Sequence, residues 1–430
     1  MITRPAVLVL WFAAAGAATM HLANHPAVTT FAPLEAARMG LATEARREAR
    51  FVTPAATRAH THAASLVELK DGAIRAVWFS GNREGDPDVT IQSSVFTPSS
   101  GQWGEERTLV TRAATEQAVL RGTRKLGNPV IARHSDDKLW LFYVSVAIGG
   151  WAGSSVNAMA SDDEGQTWSL PRRLITSPFF NISTLVHTSP VLAKDGTMLL
   201  PVYHQFFGKF SEILRIDRNG AVIDKQRLSR GRDMQQPVLM PLSPTAALVL
   251  MRTASADLPD KVSATRTTDG GAHWSIPAPI NLPNPDSALA GITLRDGRLL
   301  VVLNDSESDR DVLSLVASID SGHTWKIMER LEDQRAASAL AIDPAKYAEQ
   351  ASATAAAISA DPSMRGDNAR AQMCTGRTRC GFEFSYPDLI ETRSGDIHIL
   401  YTWNRAAIKH VWLSRARLEQ MLASTDALPR

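Results

Sequence analysis

One eight-residue turn is spelled three times along this chain, and its spacing restricts the fold more than any other feature. The copies are Ser161-Asp162-Asp163-Glu164-Gly165-Gln166-Thr167-Trp168, Thr267-Thr268-Asp269-Gly270-Gly271-Ala272-His273-Trp274 and Ser318-Ile319-Asp320-Ser321-Gly322-His323-Thr324-Trp325. Their shared form is Ser/Thr-x-Asp-x-Gly-x-x-Trp. The hydroxyl and carboxylate bond back to nearby backbone N–H groups, glycine takes the positive φ that other residues resist, and the tryptophan opens the next strand. Asp269 and Asp320 are 51 residues apart, and Asp163 and Asp269 are 106 apart, or two repeats of 53. Midway lies a decayed copy, Ile216-Asp217-Arg218-Asn219-Gly220, and upstream lies another, Thr97-Pro98-Ser99-Ser100-Gly101-Gln102-Trp103. A repeat near fifty residues fits four short strands per blade around a central channel.

A second register gives the blade count. Polar-Pro starts recur at Asn128-Pro129, Ser189-Pro190, Gln236-Pro237, Asn284-Pro285 and Tyr386-Pro387, each leading through a turn into an apolar run. Proline has no donor for the strand ladder and suits the start of an edge strand, such as a blade's innermost one. With His62-Ala63-Ala64 opening the first blade the total is six, and no seventh repeat is found. The polar residue ahead of each proline is expected to face the funnel. The last blade, Tyr386–Glu391, Ile397–Trp403 and His410–Ser414, lacks a fourth strand, which Phe51-Val52 and their neighbours are expected to supply. A ring closed in this way leaves no long unpaired edge. The expectation is an all-β six-bladed β-propeller over 51–415, with an insertion at 332–383 whose stretch Ala336–Ala360 reads as helical and as a roof for the funnel. Residues 21–50 read as a linker and 416–430 as a C-terminal tail.

The net charge of +2, with both signs interspersed and no basic run, gives no indication of nucleic acid as a partner. Arg4, the apolar run Ala6–Ala15 and the small-residue exit Gly16-Ala17-Ala18 form a secretory signal pattern over 1–20, or an uncleaved anchor. The protein is therefore expected to be exported, whether periplasmic, secreted or held at a membrane by that anchor alone. Cys374 and Cys380, the only cysteines, are expected to form a disulfide. Two thiols with no nearby histidine do not suit a metal site, and no cofactor is expected.

The repeated turn resembles the Asp-box, or BNR repeat, of sialidases (neuraminidases) and related propellers, and the likeness is closest to bacterial proteins described as predicted neuraminidases. The resemblance implies a glycoside hydrolase acting on a sugar that carries a carboxylate. Guanidinium groups would clamp the carboxylate bidentately, and a tyrosine would serve as nucleophile. It implies that Tyr386 in Ser385-Tyr386-Pro387 is the nucleophile, and that Arg252 and Arg310 are clamp residues. The stretch Asn82-Arg83-Glu84-Gly85-Asp86-Pro87-Asp88 would supply another arginine, Arg83, and the acid/base, for which Asp88, Asp86 and Glu84 compete.

Two departures stand against that pattern. The family's first blade opens with an arginine that completes the clamp, whereas this chain has His62-Ala63-Ala64. The family also places a glutamate in the fourth blade to activate the tyrosine, where this chain has Gln235-Gln236. An amide cannot accept a proton, so His62 is the candidate base or weaker cation. His187 and His204 lie on the third blade and are expected to reach the same mouth. The leading expectation is an exo-acting sialidase-like hydrolase. A uronate-specific lyase or hydrolase using His187, His204 and Arg252, or a non-catalytic carbohydrate-binding propeller, are the alternatives.

Overall fold

In four of the six blades the innermost strand is broken at the same place. The ladder shifts register between His62 and Ser65, between Gly127 and Val130, between Gln235 and Val238, and between Ser385 and Asp388. At each shift one residue is left-handed: Ala63, Asn128, Gln236 and Tyr386 have φ of 51°, 45°, 53° and 52°. These are β-bulges, in which an extra residue leaves the ladder and its side chain is re-aimed. For a residue with a Cβ the conformation costs roughly 1–2 kcal/mol, so it persists only where the surrounding structure enforces it. In the fifth blade the left-handed residue is Asp286, at φ 48°. Asn284, expected to face the funnel there, instead donates from its amide to the Ser287 carbonyl and accepts the Ser287 N–H.

The computed structural model describes residues 28–32, 44–53, 56–177, 181–206, 208–228, 233–340, 342–378 and 380–423. The signal or anchor segment 1–20 lies outside them. Six antiparallel sheets of four or five strands follow one another around the ring. Their innermost strands begin at His60, Lys125, Leu185, Met234, Ala290 and Phe384. The third blade's inner edge is split into Leu185–Val186 and Val191–Leu192, both paired with Met198–His204. The ring closes as expected: Arg47–Phe51 pairs antiparallel with the last blade's third strand, Arg47 opposite Leu413 and Phe51 opposite Lys409. The described part of 21–50 is therefore not all linker. Arg47–Phe51 is strand, and Phe31 is buried between blades three and four, its N–H donating to the Pro244 carbonyl.

The core is divided among the seams, with one buried apolar cluster between each pair of neighbouring blades. The three repeated turns each join the third and fourth strands of a blade, and their tryptophans enter the seam with the preceding blade. The seam between blades five and six is enlarged by the insertion. Its helices are Arg335–Ala339, Pro344–Ala356 and Pro362–Met373, the second capped by Asp343 accepting from the Ala345 and Lys346 amides. The small side chains Ala351, Ala355 and Ala369 allow close helix approach and are fully buried. Cys374 and Cys380 are joined in a disulfide. Rather than roofing the whole funnel, the insertion buttresses the sector from blade five to blade one. Arg365 lies over the Phe51 ring and bonds the Thr53 carbonyl, and Asn368 bonds the Arg58 carbonyl. A last helix, Arg415–Ala423, buries Leu418 and Met421. Among the described residues no helix is long and apolar enough to cross a membrane.

Candidate functional site

The bulged side chains meet at the axis. Gln236 donates from Nε2 to the Tyr386 hydroxyl at 3.1 Å and to the Tyr203 hydroxyl at 3.4 Å, while Asn128 donates to Tyr203 at 3.3 Å. The amide cannot turn over, because Arg252 donates from Nη1 to its Oε1 at 3.0 Å. Gln236 is thus a fixed donor toward Tyr386, not a proton acceptor. The Tyr386 ring is partly buried between two histidines, with centroids 4.4 Å from His62 and 4.8 Å from His187.

Three arginines surround this tyrosine, each held by a carboxylate. Arg252 ends the fourth blade's second strand and donates from Nε to Asp286 Oδ1 at 2.6 Å. Arg310 donates to the Asp286 carbonyl at 2.6 Å and, more weakly, to Glu383 Oε1 at 3.4 Å. Arg405 donates from Nε to Glu383 Oε2 at 2.9 Å and from Nη1 to Glu84 Oε2 at 2.5 Å. A guanidinium has five N–H donors, so these bonds fix each fork and leave donors on it for a ligand.

The electrostatics follow from this ring of charge. Burial alone would push the Glu383 carboxyl up, but Arg405 and Arg310 outweigh it and hold the group at about 2. His62 is driven well below its ordinary value by burial, then by Arg405, His60 and Arg310. His187 is brought down to about 3 by burial and by Arg252. Both imidazoles are therefore neutral at physiological pH. His62, whose Nδ1 lies 2.9 Å from the Thr402 hydroxyl, does not supply the missing cation and is a poor base.

Of the residues expected from sequence, Tyr386, Gln236, Arg252, Arg310, His62 and His187 converge on the axis. Glu84 joins them through Arg405. Asp88 is exposed and its carboxylate accepts the Asn82 N–H at 2.9 Å. Arg83 is exposed on the same loop, and Asp86 accompanies it, its N–H donating to the Arg83 carbonyl. His204 turns away, pairing with Glu212 at 2.8 Å and stacking on Phe210. Ser189 faces the opposite end of the channel. Among the described residues no cluster of three or more His, Cys, Asp or Glu is arranged to hold a metal ion.

Sequence reasoning missed Arg405, Glu383, Asp286 and Tyr203. Arg405 had a signal. It occupies the hairpin turn Trp403-Asn404-Arg405-Ala406, in which Asn404 and Arg405 have φ of 50° and 52°. Such turns favour Asn-Gly, so arginine in the glycine place marks a side chain wanted for something else. Its carbonyl also accepts the Thr61 N–H, which locks the turn onto the first blade.

A six-bladed ring with an arginine-lined axial funnel and Asp-box turns on its rim defines a BNR-repeat β-propeller. The chain belongs to the BNR repeat-like domain family, whose family profile matches residues 72–399. No curated protein matches it in sequence. Among solved structures it is similar to the Hadza microbial sialidase Hz136, with 16% identity and a TM-score of 0.59 over 82% of this chain and 65% of that one. It spans slightly less than two thirds of that protein. The K499G mutant of NanB sialidase from Streptococcus pneumoniae matches at 10% identity and TM-score 0.60, over 86% of this chain and 71% of that one. The intramolecular trans-sialidase from Ruminococcus gnavus, in complex with oseltamivir carboxylate, matches at 13% and 0.56, over 86% and 97%. At such identities the likeness is one of fold.

Proposed function

We propose that the chain is an exo-acting sialidase-like glycoside hydrolase for a carboxylate-bearing sugar, working outside the cytoplasm. The observation that carries this reading is the trio Arg252, Arg310 and Arg405 set around Tyr386, with Arg405 standing in for the first-blade arginine this sequence lacks. The sugar carboxylate would pair with the remaining guanidinium donors, which brings the anomeric carbon over the Tyr386 hydroxyl. Tyr386 attacks that carbon and Asp88 protonates the leaving oxygen. In the second step Asp88 takes a proton from water as the tyrosyl link is broken. Gln236 cannot remove the phenol proton. Its amide instead stabilises the developing phenolate, with the arginines adding positive potential, and the proton leaves to water in the open funnel. Glu84 is held in its pair with Arg405, which leaves Asp88 as the better-placed acid of that loop. The signal pattern and the Cys374–Cys380 bridge support an oxidising, exported setting.

Screening sialosides and uronate polysaccharides for released sugar tests this. Tyr386→Phe is expected to lower turnover by about a thousandfold or more while leaving binding in place. Arg252→Ala is expected to weaken binding by roughly 1.5–3 kcal/mol, about 10- to 150-fold. Full turnover in Tyr386→Phe overturns the mechanism. One observation favours a uronate lyase as the second reading: His187 Nε2 is buried without a partner beside Tyr386. A lyase would be recognised by an ultraviolet-absorbing unsaturated product that is lost in a His187→Ala variant.

A further inference from the structure

The insertion's last helix, Pro362–Met373, turns a polar stripe toward the ring. Arg365, Asn368 and Gln372 are spaced i, i+3 and i+7, which places them on one helix face. A helix face packed on a core is ordinarily apolar, yet all three of these side chains donate to backbone carbonyls. Arg365 bonds the Thr53 carbonyl at 2.5 Å, Asn368 the Arg58 carbonyl at 3.2 Å, and Gln372 the Asn82 carbonyl at 3.1 Å. Gln372 is held one way round, because its Oε1 lies 3.1 Å from His60 Nδ1. The helix is also braced from behind. Gly366 approaches the helix Pro344–Ala356 so closely that a Cβ there would come 2.4 Å from the Ala348 carbonyl, which accounts for a glycine in mid-helix.

The same helix ends in the disulfide. Cys374 is its C-cap, and the bridge to Cys380 spans six positions. So short a loop restricts the unfolded chain less than a long one would, so the bridge acts mainly on local geometry. Cys380 donates its N–H to the Ile342 carbonyl at 3.0 Å, and the Phe382 ring packs on Tyr347 with centroids 4.8 Å apart. Glu383 follows directly. It exchanges bonds with Asn404, N–H to Oδ1 at 2.9 Å and the Asn404 N–H to the Glu383 carbonyl at 2.7 Å, which fixes the turn that carries Arg405.

The two ties meet at one side chain. Arg405 is held between Glu84 and Glu383. Glu84 stands two residues beyond Asn82, whose carbonyl Gln372 holds, and Glu383 stands three beyond Cys380, which the bridge holds. One helix therefore sets the spacing of two carboxylates that belong to blades one and six. Arg252, by contrast, is set by Asp286 and Gln236 on blades five and four.

We infer that this helix is the positioning element for Arg405, with Gln372 and the Cys374–Cys380 bridge as its two arms, and that the arginine loses its setting when either arm is cut. What that setting does for a sugar carboxylate rests on the hydrolase reading, whereas the setting itself is measured without substrate. The test is the rate at which phenylglyoxal, an arginine-selective dicarbonyl, modifies each arginine, followed by peptide mass spectrometry. The unmodified protein is compared with Gln372→Ala and with the double variant Cys374→Ala/Cys380→Ala. A guanidinium locked between two carboxylates reacts slowly. Arg405 is expected to react about tenfold faster in the double variant and about threefold faster in Gln372→Ala, with Arg252 within about twofold in both. An unchanged Arg405 rate overturns the inference, and so does an equal rise at Arg252, which would mean general loosening. Should the double variant not fold, Gln372→Ala carries the test alone, with the same outcomes. On an acidic substrate the double variant is expected to raise KM about tenfold with kcat within about twofold. If the unmodified protein turns over no acidic sugar, it is the hydrolase reading that fails, and the arginine rates still decide the role of the helix.

Discussion

Ser161, Thr267 and Ser318 make the same bonds at the rim of three blades, whereas the axis carries Ala63, Asn128, Gln236, Asp286 and Tyr386, a different left-handed residue in each of five blades, four of them at a bulge. At the rim each hydroxyl accepts the glycine N–H four residues on, at 2.8, 2.9 and 2.8 Å, and each aspartate accepts amides of the following residues. Each turn also receives a side chain from the preceding blade. Arg75 donates to the Glu164 carbonyl, Gln226 to Gly271, and Arg266 to Ser321 and Gly322. The rim is therefore one device, copied, that stitches neighbours. At the axis the bulge geometry is copied but the side chains are not, and their partners come from distant blades. The difference separates what the ring needs in order to close from what it needs in order to bind.

The sharpest way to break that contrast is to remove an axial counter-ion. The Glu383 side chain is only 12% exposed and answers both Arg310 and Arg405. Glu383→Gln leaves two guanidinium groups partly unbalanced in a buried setting, which is expected to cost about 3–5 kcal/mol. Urea unfolding is the measurement, and acidic-sugar affinity is expected to fall in the same variant. A loss below about 1 kcal/mol would mean that Glu84 and Asp286 balance the arginines without it.

The rim aspartates and one carboxyl on the inner strand beyond Tyr386 also titrate in opposite directions. Asp163 is held at about 2 by the Thr167 hydroxyl and amide, and Asp269 at about 2 by the His273 amide and ring. Groups lowered in this way stabilise the fold above the ordinary carboxyl range, and that contribution is lost as pH falls toward 2. Asp388, two residues beyond Tyr386 on the same inner strand, is raised to about 7 by burial, only partly offset by Ser65 and the Leu66 and Leu389 amides. Its carboxyl stays protonated in the fold where it would ionise in the unfolded chain. It therefore costs stability progressively as pH rises from about 4 to about 7. The stability of the unmodified protein minus that of Asp388→Asn is expected to fall by about 2–4 kcal/mol across that window. Urea midpoints at pH 4.5 and 8 measure it, and a flat difference would show that Asp388 is ionised in the fold.

Legibility follows the same division. The rim turn was readable because its hydroxyl, carboxylate, glycine and tryptophan lie within eight residues, and repetition made chance implausible. Closure by the strand ending at Phe51 was readable because the last blade visibly lacked a strand. The axis was readable only residue by residue. Gln236 and Tyr386 are 150 positions apart and Glu84 and Arg405 are 321 apart, and no local pattern links such pairs. Asn284 was expected at the axis because it precedes a proline as its counterparts do, yet the fifth blade makes its left-handed turn two residues later, at Asp286. His62 could be placed but not charged, since its neutrality comes from burial beside Arg405, an arginine that only the folded ring brings near.

The smallest expected effect sharpens the comparison from the rim side. Ser318 is buried, donates to Asp320 Oδ1 at 2.8 Å and accepts the Gly322 N–H at 2.8 Å. Ser318→Ala removes these bonds and a longer one from the Asp320 N–H at 3.4 Å, leaving a glycine amide without its partner, which is expected to cost about 1 kcal/mol, in line with losing a helix cap. Gly322 has φ 82° and sits against Leu248 of the preceding blade, so the turn is also held by packing and by the two Arg266 bonds. Those contacts keep the loss small, and they confine it to the outer end of the seam between blades four and five. Acidic-sugar binding at the axis is therefore expected to be unchanged in Ser318→Ala while the urea midpoint falls. If binding weakens by more than about threefold, rim and axis are mechanically coupled and the division of labour drawn above is wrong.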